Sequence, residues 1–415
     1  MAYKSILVVG GGISGLTAAI EASEAGNEVY LVEEKPYLGG RVAQMNQYFP
    51  KLCPPNCGLE INFKRIKQNP LIKFFTLAEI EQIEGGEGDF TVTVKSNSRY
   101  VNQNCTACGK CVEVCPAERS NEFNYGLDKT KAIYKAHAFA FPMKYAIDDK
   151  ACLGAECGKC VSACQYGAIE LDMTAKSFKL NVGAIVWATG WEPYDAKKVD
   201  YYGFGRHQNV ITNVIMERMA AHNGPTGGKI VRPSDGKEVE SIAFVQCAGS
   251  RDENNLPYCS GVCCMASLKQ ATYVKAQNPD AKVSMFYIDV RAMGKYEDFY
   301  TKVQDSISMI KGKVGEISED PLTKDLIVQV ENQVTGEIMK EKVDMVVLAT
   351  GMVPATAGSK VPVTITYDQD GFIATDSQQP GIYGTGCVKK PLDVASSVKD
   401  ATAAALKAIQ STVRR

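Results

Sequence analysis

No stretch of the chain says more about its fold than Ile6 to Glu33, ILVVGGGISGLTAAIEASEAGNEVYLVE. Ile6-Leu7-Val8-Val9 is a short apolar run of the kind that forms a buried parallel strand. Gly10, Gly12 and Gly15 follow in GxGxxG spacing, and helical periodicity runs through Leu16, Ala19, Ile20 and Ala22. A second strand, Val29 to Val32, ends on Glu33, with Glu34 behind it. In such a unit Gly10 makes the tight turn, Gly12 lets the backbone approach a pyrophosphate, and Gly15 packs helix on strand. Ile13 and Ser14 open the helix, whose free N–H groups turn partial positive charge toward phosphate. Glu33 stands where an acid accepts ribose hydroxyls. A GxGxxG alone is a weak signal. Strand, glycines, helix, second strand and terminal acid together predict a dinucleotide site.

Gly39-Gly40-Arg41 follows Glu33 closely. A Gly-Gly pair there resembles FAD enzymes built from two dinucleotide-binding domains, where it runs beside the flavin. The resemblance recurs in Ala188-Thr189-Gly190 and Ala349-Thr350-Gly351, each ending an apolar strand. Gly381-Ile382-Tyr383-Gly384-Thr385-Gly386 is similar to the same group's C-terminal motif, with Cys387 where Asp is usual. Alone, each Ala-Thr-Gly is an ordinary strand end. In this order the signals favour FAD over NAD.

The 415 residues suffice for two or three domains. A net charge of −1 gives no footing for nucleic acid. The first strand follows Met1 almost at once, so no signal peptide is expected. No apolar run reaches the roughly 18 residues of a membrane helix, so membrane contact is expected only through a partner. Fifteen cysteines in such a chain read as metal or redox sites in a reducing, cytoplasmic compartment rather than as disulfides. His137, His207 and His222 stand in no metal spacing.

Cys105-x2-Cys108-x2-Cys111-x3-Cys115-Pro116 is the bacterial ferredoxin run. Cys152-x4-Cys157-x2-Cys160-x3-Cys164 repeats the design with a longer first gap and Gln165 in place of Pro. Two [4Fe-4S] clusters are expected. By the crossover of two-cluster ferredoxins, Cys105, Cys108, Cys111 and Cys164 hold one, and Cys115, Cys152, Cys157 and Cys160 the other. The aromatic stretch Ala132–Tyr145 between the runs reads as packing. The ferredoxin unit, residues 101–170, interrupts the FAD domain, which takes residues 1–100, 171–203 and 352–415.

Residues 204–351 read as a second α/β domain. After its buried strand Ser241–Gln246, a nicotinamide-using enzyme would carry a second glycine fingerprint. Here the sequence is Cys247-Ala-Gly-Ser-Arg-Asp-Glu-Asn-Asn-Leu-Pro-Tyr-Cys259-Ser-Gly-Val-Cys263-Cys264. The nicotinamide site reads as lost. Cys247, Cys259, Cys263 and Cys264 are candidate ligands of a third cluster, against buried structural thiols or a redox disulfide. Cys53 and Cys57 leave a similar choice. Disulfide reductases with this FAD domain carry a flavin-facing Cys pair shortly after Gly-Gly. Here the gap is shorter and holds Pro54 and Pro55, so flavin-facing thiols or auxiliary ligands stand against a structural loop.

The runs QCAGSRDENNLPYCSGVCCMASLKQA, GPTGGKIVRPSDGKE and GIYGTGCVKKPLDVASSVKDATAAA, with the inserted ferredoxin pair, closely resemble the A subunit of heterodisulfide reductases. The chain ends at Arg415, before the further ferredoxin module usual there, and has CPPNCGLEINFKRIKQNP in place of the heterodisulfide-type cysteine loop. In both respects it is similar to the A subunit of the quinone-interacting membrane-bound oxidoreductase complex of sulfate reducers. That resemblance implies a cytoplasmic electron-transfer subunit passing electrons between menaquinol and adenylylsulfate reductase. Its partners would be a related flavin/iron–sulfur subunit together with a membrane haem/quinone subunit. The implied fold is thioredoxin reductase-like with an inserted α+β ferredoxin domain. The alternatives are the A subunit of a heterodisulfide reductase, with or without electron bifurcation, and a free-standing NAD(P)H-dependent disulfide reductase.

Overall fold

The computed structural model describes residues 4–374 and 379–413. Ile6–Val9 is buried and pairs in parallel with Val29–Glu33 on one side and Ala184–Trp187 on the other. Ile72–Thr76 and Ile382–Gly384 complete a five-stranded parallel sheet at its two edges. Helices Ile13–Glu24 and Val394–Val413 pack together against one face, where the small Ala401, Ala405 and Ala408 allow close approach. An antiparallel meander of Ala78–Gly86, Asp89–Ser96 and Lys176–Val182 covers the other face. Its alternate residues Phe90, Val92, Val94, Leu180 and Val182 point inward onto Leu7, Val32 and Ile185.

This differs from the sequence expectation in one respect. The alternating runs from Ile72 to Val94 suggest a contiguous meander. The first of them joins the parallel sheet instead, and the third meander strand comes from beyond the insertion. Ser96 and Lys176 are register partners, so the ferredoxin unit hangs from one end of a hairpin. A bridge between Val101 and Ile169 closes its base. The unit is built from two small hairpins, Glu118–Ser120 with Lys129–Lys131 and Ile133–Tyr134 with Ala146–Ile147. Short helices Lys110–Glu113 and Lys159–Ala163 accompany them.

The insertion is welded to its host rather than tethered. Leu38 N donates to Phe141 O at 2.8 Å. The Phe141 ring stacks on Phe63 of the FAD domain at 5.1 Å. Arg218, from the second domain, is 1 % exposed and donates from Nε to Asn124 Oδ1 of the insertion at 2.8 Å. Its guanidinium also lies 4.7 Å from the Phe123 ring centroid. Arg218 Nη1 also donates to Gln44 O of the FAD domain at 3.5 Å, so one buried side chain is hydrogen-bonded across all three units.

The second domain repeats the first in architecture. Its parallel sheet runs Val210–Thr212, Met345–Thr350, Ser241–Ala248, Lys282–Tyr287, Ser308–Lys311. Its meander is Val314–Glu319, Leu326–Glu331, Ile338–Val343. An antiparallel ribbon of Trp191–Pro193 and Met352–Pro354 connects the domains. Tyr194, Val199 and Tyr202 already pack in the second core, so the first domain's middle segment ends before residue 203. The segment from Val210 opens with a strand, Val210–Thr212, and continues as a helix, Asn213–Ala220, although read alone it suggests one helix to His222. The β-branched run Val210-Ile211-Thr212 explains the difference. Among the described residues no helix is long and apolar enough to cross a membrane.

Candidate functional site

A crevice of about 590 Å³ opens at the carboxyl ends of the first sheet's strands. Gly10, Gly12, Ile13 and Ser14 line it at the start of the first helix. Gly15 lies behind them; a Cβ there would run into the Gly10 carbonyl, so helix and turn meet backbone to backbone. Gly12 differs, for a Cβ on it would find nothing nearer than Gly40 Cα at 3.9 Å. The room above Gly12 faces the crevice, where a pyrophosphate would approach. Glu33 Oε2 accepts from Gly11 N at 2.5 Å and Oε1 from Lys35 N at 2.8 Å. Burial nevertheless raises its pKa, against those two amide bonds. Glu34, Gly40, Ala188, Thr189 and Gly190 line the crevice too.

Gly39 takes φ +113° at the turn that brings Gly40 over Gly12. Arg41 lines the crevice, but its guanidinium is engaged by protein. Nε donates to Trp191 O at 2.5 Å, Nη1 to Tyr125 OH at 3.0 Å, and Nη2 pairs with Glu192. Cys387 also lines the crevice, and its Sγ donates to Leu392 O at 3.4 Å. Gly386 packs beside Ser14, and its N–H donates to Asp400 at 2.8 Å. Thr350 and Gly351 depart from the expectation of a flavin contact. They end a second-domain strand, where Thr350 Oγ1 donates to Asn213 Oδ1 at 2.9 Å and Gly351 backs onto Ser250 and Ser260. The Ala-Thr-Gly repeat marks equivalent strand ends of two similar domains, and only the first faces the crevice.

The ferredoxin cysteines ring two apolar hollows. Cys105, Cys108, Cys111 and Cys164 line one, and Cys115, Cys152, Cys157 and Cys160 the other. Ile133 borders both, so the hollows are neighbours. Each carries a Gly-Lys-Cys-Val segment starting a short helix after a left-handed glycine, Gly109 or Gly158. Backbone amides already point at sulfur: Ala168 N to Cys164 Sγ at 3.3 Å, Gly154 N to Cys152 Sγ at 3.4 Å. Burial, with Cys105 nearby, pushes the Cys111 thiol up to about 12. Among the described residues no three His, Cys, Asp or Glu side chains converge on a single ion. Thiols spaced around a hollow, with amide donors and no carboxylate, fit a cube liganded at four corners instead.

The second domain's cysteine loop abuts the crevice, since Gly261 and Val262 line it between Cys259 and Cys263. Cys247, the last residue but one of the strand Ser241–Ala248, takes φ +55°, while Cys263 and Cys264 open the helix Cys263–Gln277. Cys263 Sγ donates to Thr350 O at 3.5 Å, and Gly261 N donates to Cys259 Sγ at 3.3 Å. Burial and the Cys264 sulfur push the Cys247 thiol up to about 11. In the same stretch, among the described residues, the side chains of Gln246 and Ser250 are buried without hydrogen-bond partners, and Ser250 Oγ lies against Gly351.

A family profile described as FAD dependent oxidoreductase matches residues 5–55. The chain is 40% identical over 420 residues to the A-type iron–sulfur subunit of the CoB–CoM heterodisulfide reductase of Methanocaldococcus jannaschii. That alignment covers 97% of this chain and 63% of its relative. Residues 5–55 thus carry an FAD-dependent oxidoreductase pattern. A second A-type subunit of the same description, from Methanopyrus kandleri, is 41% identical over 417 residues, again covering 97% of this chain and 63% of that protein. The flavoprotein therefore spans somewhat less than two thirds of the relatives it matches. Among solved structures it is similar to T. acidophilum thioredoxin reductase, with a TM-score of 0.56 at 15% identity over 99% of this chain and 100% of that one. That likeness concerns the fold: two dinucleotide-binding domains in one chain.

Two features of the flavoprotein's crevice escape sequence reading. Cys53 and Cys57 do not line it; Tyr48 does, and Tyr48 N donates to Cys53 O at 3.1 Å. Pro54 and Pro55 start the helix Pro55–Gln68, so Cys57 lies in its exposed first turn rather than in a loop or facing the flavin crevice. The crevice's far wall holds a buried ion pair from the second domain. Lys269 Nζ lies 3.0 Å from Glu217 Oε1, with side chains 5% and 9% exposed. Glu217 also accepts from Gln270 Nε2 at 2.7 Å and Asn46 N at 3.0 Å, and Lys269 donates to Gln47 O at 2.5 Å. Only the near-complete burial of the Cys263–Gln277 helix, invisible in one sequence, turns Lys269 toward the crevice.

Proposed function

We propose that this oxidoreductase is the FAD-bearing electron-transfer subunit of a heterodisulfide reductase-type complex. Three [4Fe-4S] clusters would belong to it, two in the ferredoxin hollows and one at Cys247, Cys259, Cys263 and Cys264. The observation that carries the reading is the loop after Ser241–Ala248, which reaches the flavin crevice through Gly261 and Val262 and carries four thiols where a phosphate-binding glycine turn would stand. FAD supplies exchange of electron pairs, and the clusters supply single-electron conduction. The chain's own groups bind and orient. Gly12 and the helix amides receive pyrophosphate, and Glu33 receives ribose. Lys269, paired with Glu217, holds a proton at Nζ facing the crevice, where a reduced flavin would need one. The disulfide chemistry for which the relatives are named would belong to partner subunits.

The stretch CPPNCGLEINFKRIKQNP favours a second reading, the quinone-linked relay to adenylylsulfate reductase, cytoplasmic and membrane-associated through its partners. An NAD(P)H-dependent disulfide reductase fits poorly, because neither Cys53 nor Cys57 lines the crevice and the second glycine fingerprint is missing. Anaerobic stopped-flow separates the readings. Flavin reduction by NADPH in the isolated chain would defeat both complex-based readings. Reduction that requires a co-purifying partner protein supports them. Menaquinol or a thiol/disulfide couple as the competent partner substrate then decides which.

A further inference from the structure

Asp289 follows the second domain's strand Lys282–Tyr287, where a dinucleotide-binding domain would offer an acid to ribose. That carboxylate is taken. Arg251 Nη1 pairs with Asp289 Oδ1, and Arg291 Nε lies 3.8 Å from the same oxygen. The pair bridges the cysteine loop. Asp289 O accepts from Cys264 Sγ at 3.8 Å, and the Arg251 side chain reaches the Cys247 thiol. Arg251 N donates to Tyr258 O at 3.1 Å, which fixes the turn that aims the side chain.

Neither residue has a part in the reading above. Phosphate recognition is a poor account of Arg251, since its guanidinium is already paired and sulfur occupies the loop that would cradle phosphate. A structural strut is also a poor account. The side chains are 26% and 49% exposed, and ion pairs so open to water contribute little to stability. What remains is the charge. A cluster gains one negative charge on reduction, so a fixed cation beside its ligand sulfur stabilises the reduced form.

We propose that Arg251, positioned by Asp289, sets the reduction potential of the cluster held by Cys247, Cys259, Cys263 and Cys264, making it a better acceptor than the bare thiol set would be. The inference rests on those four thiols holding a cluster. Arg251 is a positioning residue, contacting a ligand and no substrate. Asp289 both aims it and offsets part of its charge, so the two residues have opposite electrostatic effects.

The test is an anaerobic redox titration of the full chain followed by electron paramagnetic resonance, with iron counted in every variant. R251Q lowers the midpoint of the signal that C263S/C264S abolishes, by about tenfold in the one-electron equilibrium, or about 59 mV. D289N, whose amide oxygen still accepts from the guanidinium, raises it. R251K, which keeps the charge, stays nearer the wild type than R251Q, and the ferredoxin signals do not move in any variant. Shifts of the same sign in R251Q and D289N, or no shift in either, overturn the proposal. Should R251Q lose iron, D289N still decides: a raised midpoint upholds the proposal, and a lowered or unmoved one overturns it. A wild-type chain without a signal sensitive to C263S/C264S removes the cluster reading and this inference together. A signal present but unmoved removes the inference alone.

Discussion

Gly12→Val separates binding from folding at the flavin site. Gly12 has φ −74° and ψ −175°, extended backbone open to any residue, and the nearest atom to a Cβ there is 3.9 Å away. It is the N-cap of the Ile13–Glu24 helix and makes no side-chain cap bond, so valine costs about 1 kcal/mol of helix stability at most. The cost to the ligand is larger. Added methyl groups occupy the room where a pyrophosphate would meet the helix amides. Losing two charge-assisted hydrogen bonds, at about 1.5–3 kcal/mol each, removes about 3–6 kcal/mol. That is a hundredfold to ten-thousandfold in affinity, at about 1.4 kcal/mol per decade. The purified G12V chain should keep wild-type far-ultraviolet circular dichroism and iron content, with flavin absorbance near zero. Gly15→Val is the control. Its Cβ collides with the Gly10 carbonyl, so fold and flavin should fail together. Stoichiometric FAD in G12V, or unfolding as severe as in G15V, would refute the placement of pyrophosphate over Gly12.

Two ferredoxin-type clusters should give about eight irons per chain, and C111S and C115S should abolish different cluster signals because their thiols line different hollows. C263S/C264S should lose about four further irons while sparing those signals. K269M strands the Glu217 carboxylate and should destabilise the second domain by about 3–5 kcal/mol, with E217Q/K269M recovering most of it in denaturant melts. Burial opposes ionisation of Asp400, but Lys389, the Gly386 amide and Thr385 together hold its carboxyl below the usual range. Its stabilising effect is therefore complete above the unfolded value of 3.8 and is lost as pH falls through the lower folded value; D400N should flatten that acid limb in thermal scans.

The parts legible in sequence are those fixed by local geometry. The Ile6–Glu33 unit declares itself because turn, helix and strand are contiguous and each glycine answers a backbone approach. The cysteine runs declare a ferredoxin unit because ligand spacing is itself the structure. What sequence hides is long-range. Ile72–Thr76 alternates like a meander strand, yet its partner across 43 residues, Val29–Glu33, claims it for the parallel sheet. Cys53 and Cys57 resemble a flavin-facing pair by position, but two prolines set the helix start and turn Cys57 outward. Thr350-Gly351 repeats Thr189-Gly190 in letters while facing different surroundings. The Glu217–Lys269 pair joins two helices 52 residues apart, and nothing in either helix announces the other.

The two dinucleotide-type domains share the order of four parallel strands and a covering meander, and differ in the fifth, edge strand, which comes last in the first domain (Ile382–Gly384) and first in the second (Val210–Thr212); the loops on this shared frame locate the change in chemistry. In the first, the loop after the central strand is Gly10 to Gly15, whose bare amides suit phosphate. In the second, the equivalent loop after Ser241–Ala248 is longer, crosses left-handed positions at Cys247, Gly249, Arg251 and Gly261, and carries four thiols. The acid at the end of the next strand is retained in both, as Glu33 and Asp289. Glu33 accepts backbone amides and faces the crevice, whereas Asp289 is held by arginine. A nicotinamide would exchange hydride with the flavin, a paired transfer requiring close ring contact. A cluster held by thiols in its place would carry single electrons, which needs proximity without stacking. On the proposed reading, the second domain would keep the scaffold of a hydride site while its loop served single-electron exit; Arg218, bonded to Asn124 and to the Gln44 carbonyl, ties the ferredoxin unit to both dinucleotide-type domains.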